Sequence, residues 1–203
     1  GRNLGEFSFA NRLNPYNKQS INSYKDKPRF VIEGQKYIDD ICKMKTGAIF
    51  FSAHIGNWEI CPLILSGKNL KVTSIYRHAN NPLNEKIIQW LRKGISIYAP
   101  KGPGGAKTLF KVLRNKEFAA ILADQKLNEG KLINFLGHPA KTAAAIGELA
   151  IKLSIPIVPI HVQRINGATF KYIIEKPIMN KKDNDNHDAV SYTHLTLPTK
   201  RIA

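Results

Sequence analysis

Apolar residues occur along the chain in short blocks, and their spacing switches repeatedly between the two periods of regular secondary structure. "FVIEG" and "AIFFSA" are runs rich in β-branched and aromatic residues, which predict two strands. Between them, "QKYIDDICKM" places Ile38, Ile41 and Cys42 at helical spacing, and Gly47 follows as a turn residue. The pattern therefore predicts a strand, a helix and a second strand.

The same alternation continues to about residue 178. Asn57 is expected to cap a helix over "WEICPLILSG", which Pro62 shortens or kinks. Strands are predicted at "KVTSIY", "ISIYA", "FAAILAD" and "LINFL", and helices at residues 82–93, at residues 105–115 and at "AKTAAAIGELAIKL". Two final strands, "IPIVPIHVQR" and "TFKYIIEKPI", are expected to be antiparallel. The sequence thus predicts an α/β fold with a mixed, mostly parallel central sheet flanked by helices.

The domain organisation follows from where this alternation begins and ends. One domain is predicted over residues 30–178. Residues 1–29 are polar and contain two prolines, so we expect an irregular or partly helical leading segment, and we expect residues 179–190 to be a polar linker. The tail 191–203 continues no pattern and looks like translated cloning sequence, so it is predicted to be non-native. Because the chain starts at Gly1 rather than Met, we expect a fragment.

The net charge of +16 raises the question of an anionic partner. The excess is spread evenly, since each of four successive stretches of about 50 residues carries +4. A nucleic-acid-binding protein usually shows a basic arm or stripe, which this distribution lacks. The diffuse charge suits attraction to a phospholipid surface, a phosphorylated substrate or an acidic carrier protein. A non-enzymatic basic protein that binds nucleic acid or an anionic surface is the alternative.

Cysteine spacing and hydropathy further narrow the class of protein to which the chain can belong. Cys42 and Cys61 have no metal-ligand spacing, so we expect structural thiols in a reducing compartment and neither a metal site nor a cofactor. No apolar run reaches the roughly 18 residues that a bilayer-spanning helix needs. No signal peptide is found in the sequence.

One histidine follows directly after an apolar block, in "FFSAHIGNWEI". In open α/β sheets, reactive groups gather where strands end, and His54 is predicted to lie at such an end. If the chain turns tightly at Gly56, Glu59 can accept the Nδ1 proton and leave Nε2 to take a proton from a hydroxyl group. On spacing alone, the structural alternative is preferred: a histidine satisfied by backbone groups and a glutamate that favours a helix N-terminus.

Two further polar residues are expected at strand ends. Arg77 follows "KVTSIY", where its guanidinium either binds phosphate or carboxylate or simply lies exposed in a loop. Asp124 follows "FAAILA" and either belongs to a site or caps a turn. Both would lie at the same sheet edge as His54.

The remaining polar residues give weaker evidence of a functional site. "INFLGHPAKT" is interpreted as a pocket-lining loop, with Thr142 early in the following helix and His138 at the surface. His161, within an apolar strand, is expected to be structural. "KGPGGAKT" resembles a phosphate-binding loop, but a Walker A motif requires glycine where Lys101 and Ala106 stand, so that interpretation is rejected.

Four segments, "SAHIGNWE", "YRHANNP", "LADQ" and "INFLGHPAKTAAAIGELAIKLSIPIVP", resemble the lysophospholipid acyltransferase superfamily in order and spacing. Specifically, they are similar to its lipid A biosynthesis lauroyl/myristoyl acyltransferase branch, over about residues 30–178. The glycerophospholipid branch typically has Asp in place of Glu59 and a downstream Pro-Glu-Gly-Thr block, which is not found here. The resemblance implies a glycerolipid acyltransferase-like fold.

The resemblance also implies an activity. Members transfer a fatty acyl chain from an acyl carrier protein thioester to a hydroxyl group, here on a phosphorylated glucosamine disaccharide at the cytoplasmic face of the bacterial inner membrane. Carried onto this sequence, His54 becomes the general base and Glu59 its orienting partner, because a hydroxyl group must lose its proton as it attacks. Donors near the helix start at Asn57 are expected to stabilise the oxyanion.

Other site residues follow from the same resemblance. Arg77 and Asp124 match further active-site positions, and Gly56, Asn57, Gln125 and Thr142 join them as expected substrate-binding residues. The implied partners are acyl carrier protein, a phosphorylated glycolipid and an anionic membrane, without nucleic acid. Another glycolipid or a lysophospholipid is the alternative acceptor. Members usually carry an N-terminal membrane-inserting helix and a C-terminal segment with Trp and Arg, so the anchor is expected to be missing from this fragment.

Overall fold

A computed structural model describes residues 30–179, except residues 69, 94, 125–129, 136–137, 143–144 and 168. The predicted leading segment, nearly all of the predicted linker and the predicted non-native tail lie outside the described residues. Gln125 lies outside them as well. In the described part of the chain, no helix has the length and hydropathy needed to cross a membrane.

The described residues form nine strands, five α-helices and one 3₁₀ turn, and these elements alternate along most of the chain. The strands are β1 (Phe30–Glu33), β2 (Ala48–Ser52), β3 (Val72–Tyr76), β4 (Ile97–Pro100), β5 (Phe118–Leu122), β6 (Lys131–Phe135), β7 (His138–Thr142), β8 (Ile157–Asn166) and β9 (Thr169–Ile174). The helices are α1 (Gln35–Met44), α2 (Cys61–Gly67), α3 (Pro82–Leu91), α4 (Pro103–Arg114) and α5 (Ala145–Leu153), and the 3₁₀ turn is Trp58–Ile60.

Seven strands form the central sheet, in the order β1-β9-β8-β2-β5-β3-β4. All neighbouring pairs are parallel except β8 and β9, which are antiparallel. The predicted mixed, mostly parallel sheet and the predicted antiparallel final pair are therefore confirmed. Since β2, β5, β3 and β4 are parallel neighbours, their carboxyl ends meet at one edge of the sheet.

The strand β2 lies at the centre of the core, and all five of its residues are buried. Phe50 packs with residues of α1 and α2 on one face of the sheet, and Ile49 and Phe51 pack with α4 and α5 on the other. Successive side chains of a strand point to opposite faces, so a strand covered by helices on both sides is apolar throughout. The continuous apolar run "AIFF" has this cause.

One predicted helix starts later than expected. The pattern "AKTAAAIGELAIKL" predicted a helix from Ala140, but α5 begins at Ala145, and residues 138–142 form β7. Strand β7 pairs antiparallel with β6 in a two-stranded sheet separate from the central one. Backbone pairing with β6 overrides the helical pattern at residues 140–142. Residues 132–135, most of the predicted strand "LINFL", form part of β6 in this hairpin and not a strand of the central sheet.

Candidate active site

His54 and Asp124 come together because two neighbouring parallel strands end in register. Ser52 of β2 pairs with Leu122 of β5, and the ladder continues through a hydrogen bond from Ala123 N to Ser52 O of 3.0 Å. His54 and Asp124 each stand two residues beyond the last pair. Residues 70 positions apart thereby meet at the carboxyl edge of the sheet.

The Asp124 carboxylate contacts His54 at two points. One oxygen lies 2.7 Å from Nδ1 of the imidazole, and the other accepts a 2.7 Å hydrogen bond from the His54 backbone N–H. An ionised carboxylate only accepts hydrogen bonds, so Nδ1 must carry the proton, and Nε2 is the basic nitrogen of the neutral ring. The two side chains are 32% and 24% exposed, so the ring is accessible from solvent. Chemically, such an arrangement can serve as a general base held by an orienting carboxylate.

Glu59, which the sequence analysis expected to orient His54, binds Arg92 instead. Both of its oxygens accept hydrogen bonds from the Arg92 guanidinium, at 2.5 and 3.2 Å. The two side chains are only 7% and 8% exposed. The Arg92 guanidinium also lies 4.8 Å from the ring centre of Tyr76 and 5.4 Å from that of Tyr98. The predicted Nδ1 contact of Glu59 is thus wrong, since Asp124 occupies that position.

The Glu59–Arg92 ion pair acts on His54 indirectly, through Trp58, the residue next to Glu59. Trp58 precedes Glu59 in the 3₁₀ turn, and its ring lies edge-on to the imidazole with a centroid separation of 5.1 Å. Fixing Glu59 in the interior therefore also fixes the backbone that carries Trp58. The pair anchors one side of the candidate site rather than touching the imidazole.

Arg77 lies in the loop that follows β3, and its side chain is exposed. Strand β3 is the neighbour of β5 in the sheet, so Arg77 leaves the same edge as Asp124 and His54. Glu85 of α3 holds the loop, because its carboxylate accepts hydrogen bonds from Tyr76 Oη at 2.7 Å and from the Ala79 backbone N–H at 2.8 Å. A cation is thus presented to solvent by a loop of defined shape.

A cavity of about 310 Å³ lies between α3 and the carboxyl ends of β3 and β4. This volume is at the lower end of the range for small-molecule sites, and its lining is mostly aromatic and aliphatic, with polar groups from His78, Gln89 and Arg92. Its lining residues are Tyr76, His78, Ile88, Gln89, Arg92, Tyr98, Ala99 and Pro100. The cavity therefore borders the ion pair that Arg92 makes.

These features lie within the part of the chain that a known family covers. The family model for bacterial lipid A biosynthesis acyltransferases matches residues 11–195. The chain belongs to this family. A comparison with curated proteins gave no match. The family is one of acyltransferases, so the chain is an acyltransferase of the lipid A pathway that takes an acyl donor and a lipid acceptor.

The structure places the other expected site residues of the acyltransferase in different settings. Gly56 has a φ of +58°, and a Cβ there would collide with the Val162 carbonyl oxygen, so the backbone itself requires glycine. Asn57 is fully buried at the N-cap position of the 3₁₀ turn, but its side chain makes no capping hydrogen bond. Asn57 therefore occupies the predicted N-cap position without the expected side-chain hydrogen bond, and its expected part in oxyanion binding stays a prediction.

Thr142 was predicted to lie early in a helix, but it lies at the end of β7. It is buried, and its hydroxyl donates a 3.2 Å hydrogen bond to the Ala140 carbonyl oxygen. His138 is exposed and His161 is buried in β8, as expected from the sequence.

Burial raises the pKa of the Cys61 thiol to about 12, which keeps it protonated and unreactive.

Arg92 and Glu85 were not predicted as site residues from the sequence. Arg92 follows the last turn of α3 and resembles any basic residue near a helix C-terminus. Glu85 lies in the first turn of α3, where an acidic residue is also expected for reasons of the helix dipole alone. The absence of any other Asp or Glu between residues 60 and 116 was an available signal that Glu85 has a specific partner.

The loop that carries Arg77 is expected to loosen in acid. The Ala79 N–H bond is the main reason that the pKa of Glu85 falls from 4.5 to about 2, helped by bonds from Tyr76, His78 and Gln89 and opposed by partial burial. Because the folded-state pKa is depressed, the stabilisation is complete above the ordinary pKa and is lost as the pH falls toward about 2. We expect Glu85→Gln to be less stable than wild type at neutral pH and the difference to shrink in acid.

Urea unfolding of both proteins between about pH 6 and about pH 3 checks this expectation. Glu148→Gln is the matched control, since it removes a half-exposed carboxylate whose ion-pair partner is Lys131. A stability difference between wild type and Glu85→Gln that stays constant over this pH range contradicts the assignment.

Proposed function

We propose that the chain transfers a fatty acyl group from the thioester of an acyl carrier protein to a hydroxyl group of a phosphorylated glucosamine-disaccharide precursor of lipid A. The reaction takes place at the cytoplasmic face of the bacterial inner membrane. The observation that carries the proposal is the His54–Asp124 pair at the carboxyl edge of the sheet. The family match supports the pathway and the class of reaction.

In the proposed mechanism, Nε2 of His54 takes the proton of the acceptor hydroxyl as its oxygen attacks the thioester carbonyl carbon. Asp124 holds the protonated Nδ1 and stabilises the imidazolium that forms. When the tetrahedral intermediate collapses, the C–S bond breaks, and the departing thiolate receives the proton from Nε2. An ester and a free thiol result, and His54 returns to its neutral form.

Charge and shape around the pair support the choice of substrates. Arg77 is exposed at the same sheet edge, and guanidinium groups bind phosphate oxygens in pairs. The cavity beside Arg92 suits part of an acyl chain, because its lining is mostly aromatic and aliphatic. The net charge of +16 favours encounter with an acidic carrier protein and an anionic lipid surface.

The test is a transfer assay with purified protein in detergent. Acyl groups are offered on acyl carrier protein or on coenzyme A, and the acceptor is a phosphorylated glucosamine disaccharide with hydroxyacyl chains or a lysophospholipid. We expect mass spectrometry to detect one added acyl ester on the disaccharide, with the carrier protein as the preferred donor. Acylation of the lysophospholipid alone would favour the alternative acceptor, and no transfer to either acceptor would refute the proposal.

A further inference from the structure

The helix α3 turns an apolar face toward solvent. Leu83, Ile87 and Trp90 are 65%, 48% and 70% exposed, and no residue of α3 is buried. Their spacing of four and then three residues places them on one side of the helix, and we call these three residues the α3 apolar face. A surface helix normally turns such a face toward the core, so its exposure indicates a binding surface.

Polar contacts, together with the packing of Leu91 against the core, fix this helix with its apolar face outward. On the opposite side, Glu85 accepts the hydrogen bonds from Tyr76 and Ala79, and Arg92, just after the last turn, is held by Glu59. Successive residues of a helix turn by about 100°, which puts Glu85 and Arg92 roughly 160–180° from Leu83. The outward orientation is therefore built into the contacts of the fold.

Among the described residues of α3 and the loops on either side of it, the charges beside the α3 apolar face are positive. Lys86 and Lys93 are exposed, and they lie about 40–60° around the helix from Trp90. Glu85 is the only acidic residue between residues 60 and 116, and it is turned toward the protein. Arg77 is exposed in the loop that leads to the helix. The outward surface thus combines three large apolar side chains, one of them Trp, with lysines along one flank.

We infer that the α3 apolar face docks onto an anionic phospholipid bilayer, with Leu83, Ile87 and Trp90 inserted at the level of the headgroups. Interfacial helices combine an apolar stripe with flanking lysines in this way, and Trp is enriched at membrane interfaces. Lysines beside the stripe gain from the negative potential of anionic lipids. A second copy of this chain fits less well, because a symmetric contact would bring the same lysines together.

The position of α3 links docking to the candidate active site. The helix starts just after the carboxyl end of β3, at the sheet edge where His54 and Asp124 emerge. Docking through α3 holds this edge near the bilayer that contains a lipid acceptor. The docking is inferred from the exposed α3 apolar face, whereas its benefit for acyl transfer rests on the proposed function.

Vesicle sedimentation with the full chain tests the inference. We expect binding to vesicles of phosphatidylcholine with about 30% phosphatidylglycerol, and much weaker binding to phosphatidylcholine alone or at high salt. The triple variant Leu83→Ser, Ile87→Ser, Trp90→Ser is expected to lower partitioning about 100-fold or more. Lys86→Ser with Lys93→Ser is expected to lower it about 30-fold, on anionic vesicles only.

Leu132→Ser is the matched control, because Leu132 is 68% exposed but belongs to the β6–β7 hairpin and not to α3. It is expected to bind vesicles like wild type. The chain has two tryptophans, so in Trp58→Phe the fluorescence reports Trp90 alone, and it is expected to shift to shorter wavelength when anionic vesicles are added. Circular dichroism checks that each variant is folded.

Absence of binding to anionic vesicles, or binding that the triple variant retains, overturns the inference. Self-association that the triple variant abolishes, without vesicle binding by wild type, would make the face an interface between copies and overturn it too. Acyl transfer to acceptor dispersed in detergent separates the two proposals. The triple variant is expected to keep wild-type transfer there, so a failure of docking leaves the proposed reaction testable by itself.

Discussion

Replacing His54 by alanine is expected to lower kcat/KM for acyl transfer by about 10²- to 10⁴-fold while the protein stays folded. The imidazole is the basic group that Asp124 holds at 2.7 Å, and without it the acceptor hydroxyl must attack with its proton in place. The side chain is 32% exposed, so its removal creates no large cavity in the core. Transfer kinetics from acyl carrier protein, combined with thermal unfolding, measure both quantities.

A comparison of Asp124→Asn with Glu59→Gln identifies the partner of the imidazole. The structure predicts that Asp124→Asn lowers kcat with little change in KM, because the altered group orients His54 rather than binding substrate. Glu59→Gln is expected to retain more kcat in its folded fraction, since Glu59 contacts Arg92. A folded His54→Ala protein with wild-type activity would refute the mechanism. A larger loss of kcat in Glu59→Gln than in Asp124→Asn would identify Glu59 as the partner of the imidazole, as the spacing suggested.

Replacing Arg92 by alanine is expected to destabilise the protein by about 3–5 kcal/mol, because it leaves the Glu59 carboxylate buried without its ion-pair partner. For a chain of this size, the loss corresponds to a fall in Tm of roughly 2–4 °C per kcal/mol. Thermal and urea unfolding measure it. The matched control is Lys71→Ala, which removes the more exposed Lys71–Glu117 ion pair and is expected to cost less than about 1 kcal/mol.

The double variant Glu59→Leu with Arg92→Met separates loss of the pair from loss of packing. Apolar residues in place of both charges remove the unpaired buried carboxylate, so most of the stability is expected to return. Equal destabilisation by Arg92→Ala and Lys71→Ala would show that the Glu59–Arg92 pair does not hold this part of the fold. A double variant as unstable as Arg92→Ala would assign the loss to Arg92 packing against Tyr76 and Tyr98.

The even spread of charge along the sequence concealed a local surplus. Counted in long stretches, the chain shows the same +4 throughout, which argued against a basic surface. In the fold, Glu59 and Glu85 face inward, and their charges are taken up by Arg92 and by donors of the loop after β3. Lys86 and Lys93 remain outside beside the α3 apolar face. Sequence counts treat all acidic residues alike, whereas only the outward ones balance surface charge.

Local patterns in the sequence determined much of the fold. The apolar run of β2 predicted a strand, and the alternation of periods predicted an α/β fold. The same patterns predicted that His54, Arg77 and Asp124 follow the carboxyl ends of strands. The strand order places these three residues at one edge of the central sheet. Such features are readable because the burial of a residue depends on periods of a few residues along the chain.

Tertiary structure alone decided which side chains meet. His54 is five positions from Glu59 and 70 from Asp124, yet it binds Asp124, because β2 and β5 pair in parallel and end in register. Glu59 turns inward to Arg92, and residues 138–142 pair with β6 instead of starting a helix. These choices depend on strand order and on long-range backbone pairing, which no local spacing encodes. The sequence by itself therefore determined where polar groups emerge, and the three-dimensional pairing of strands decided their partners.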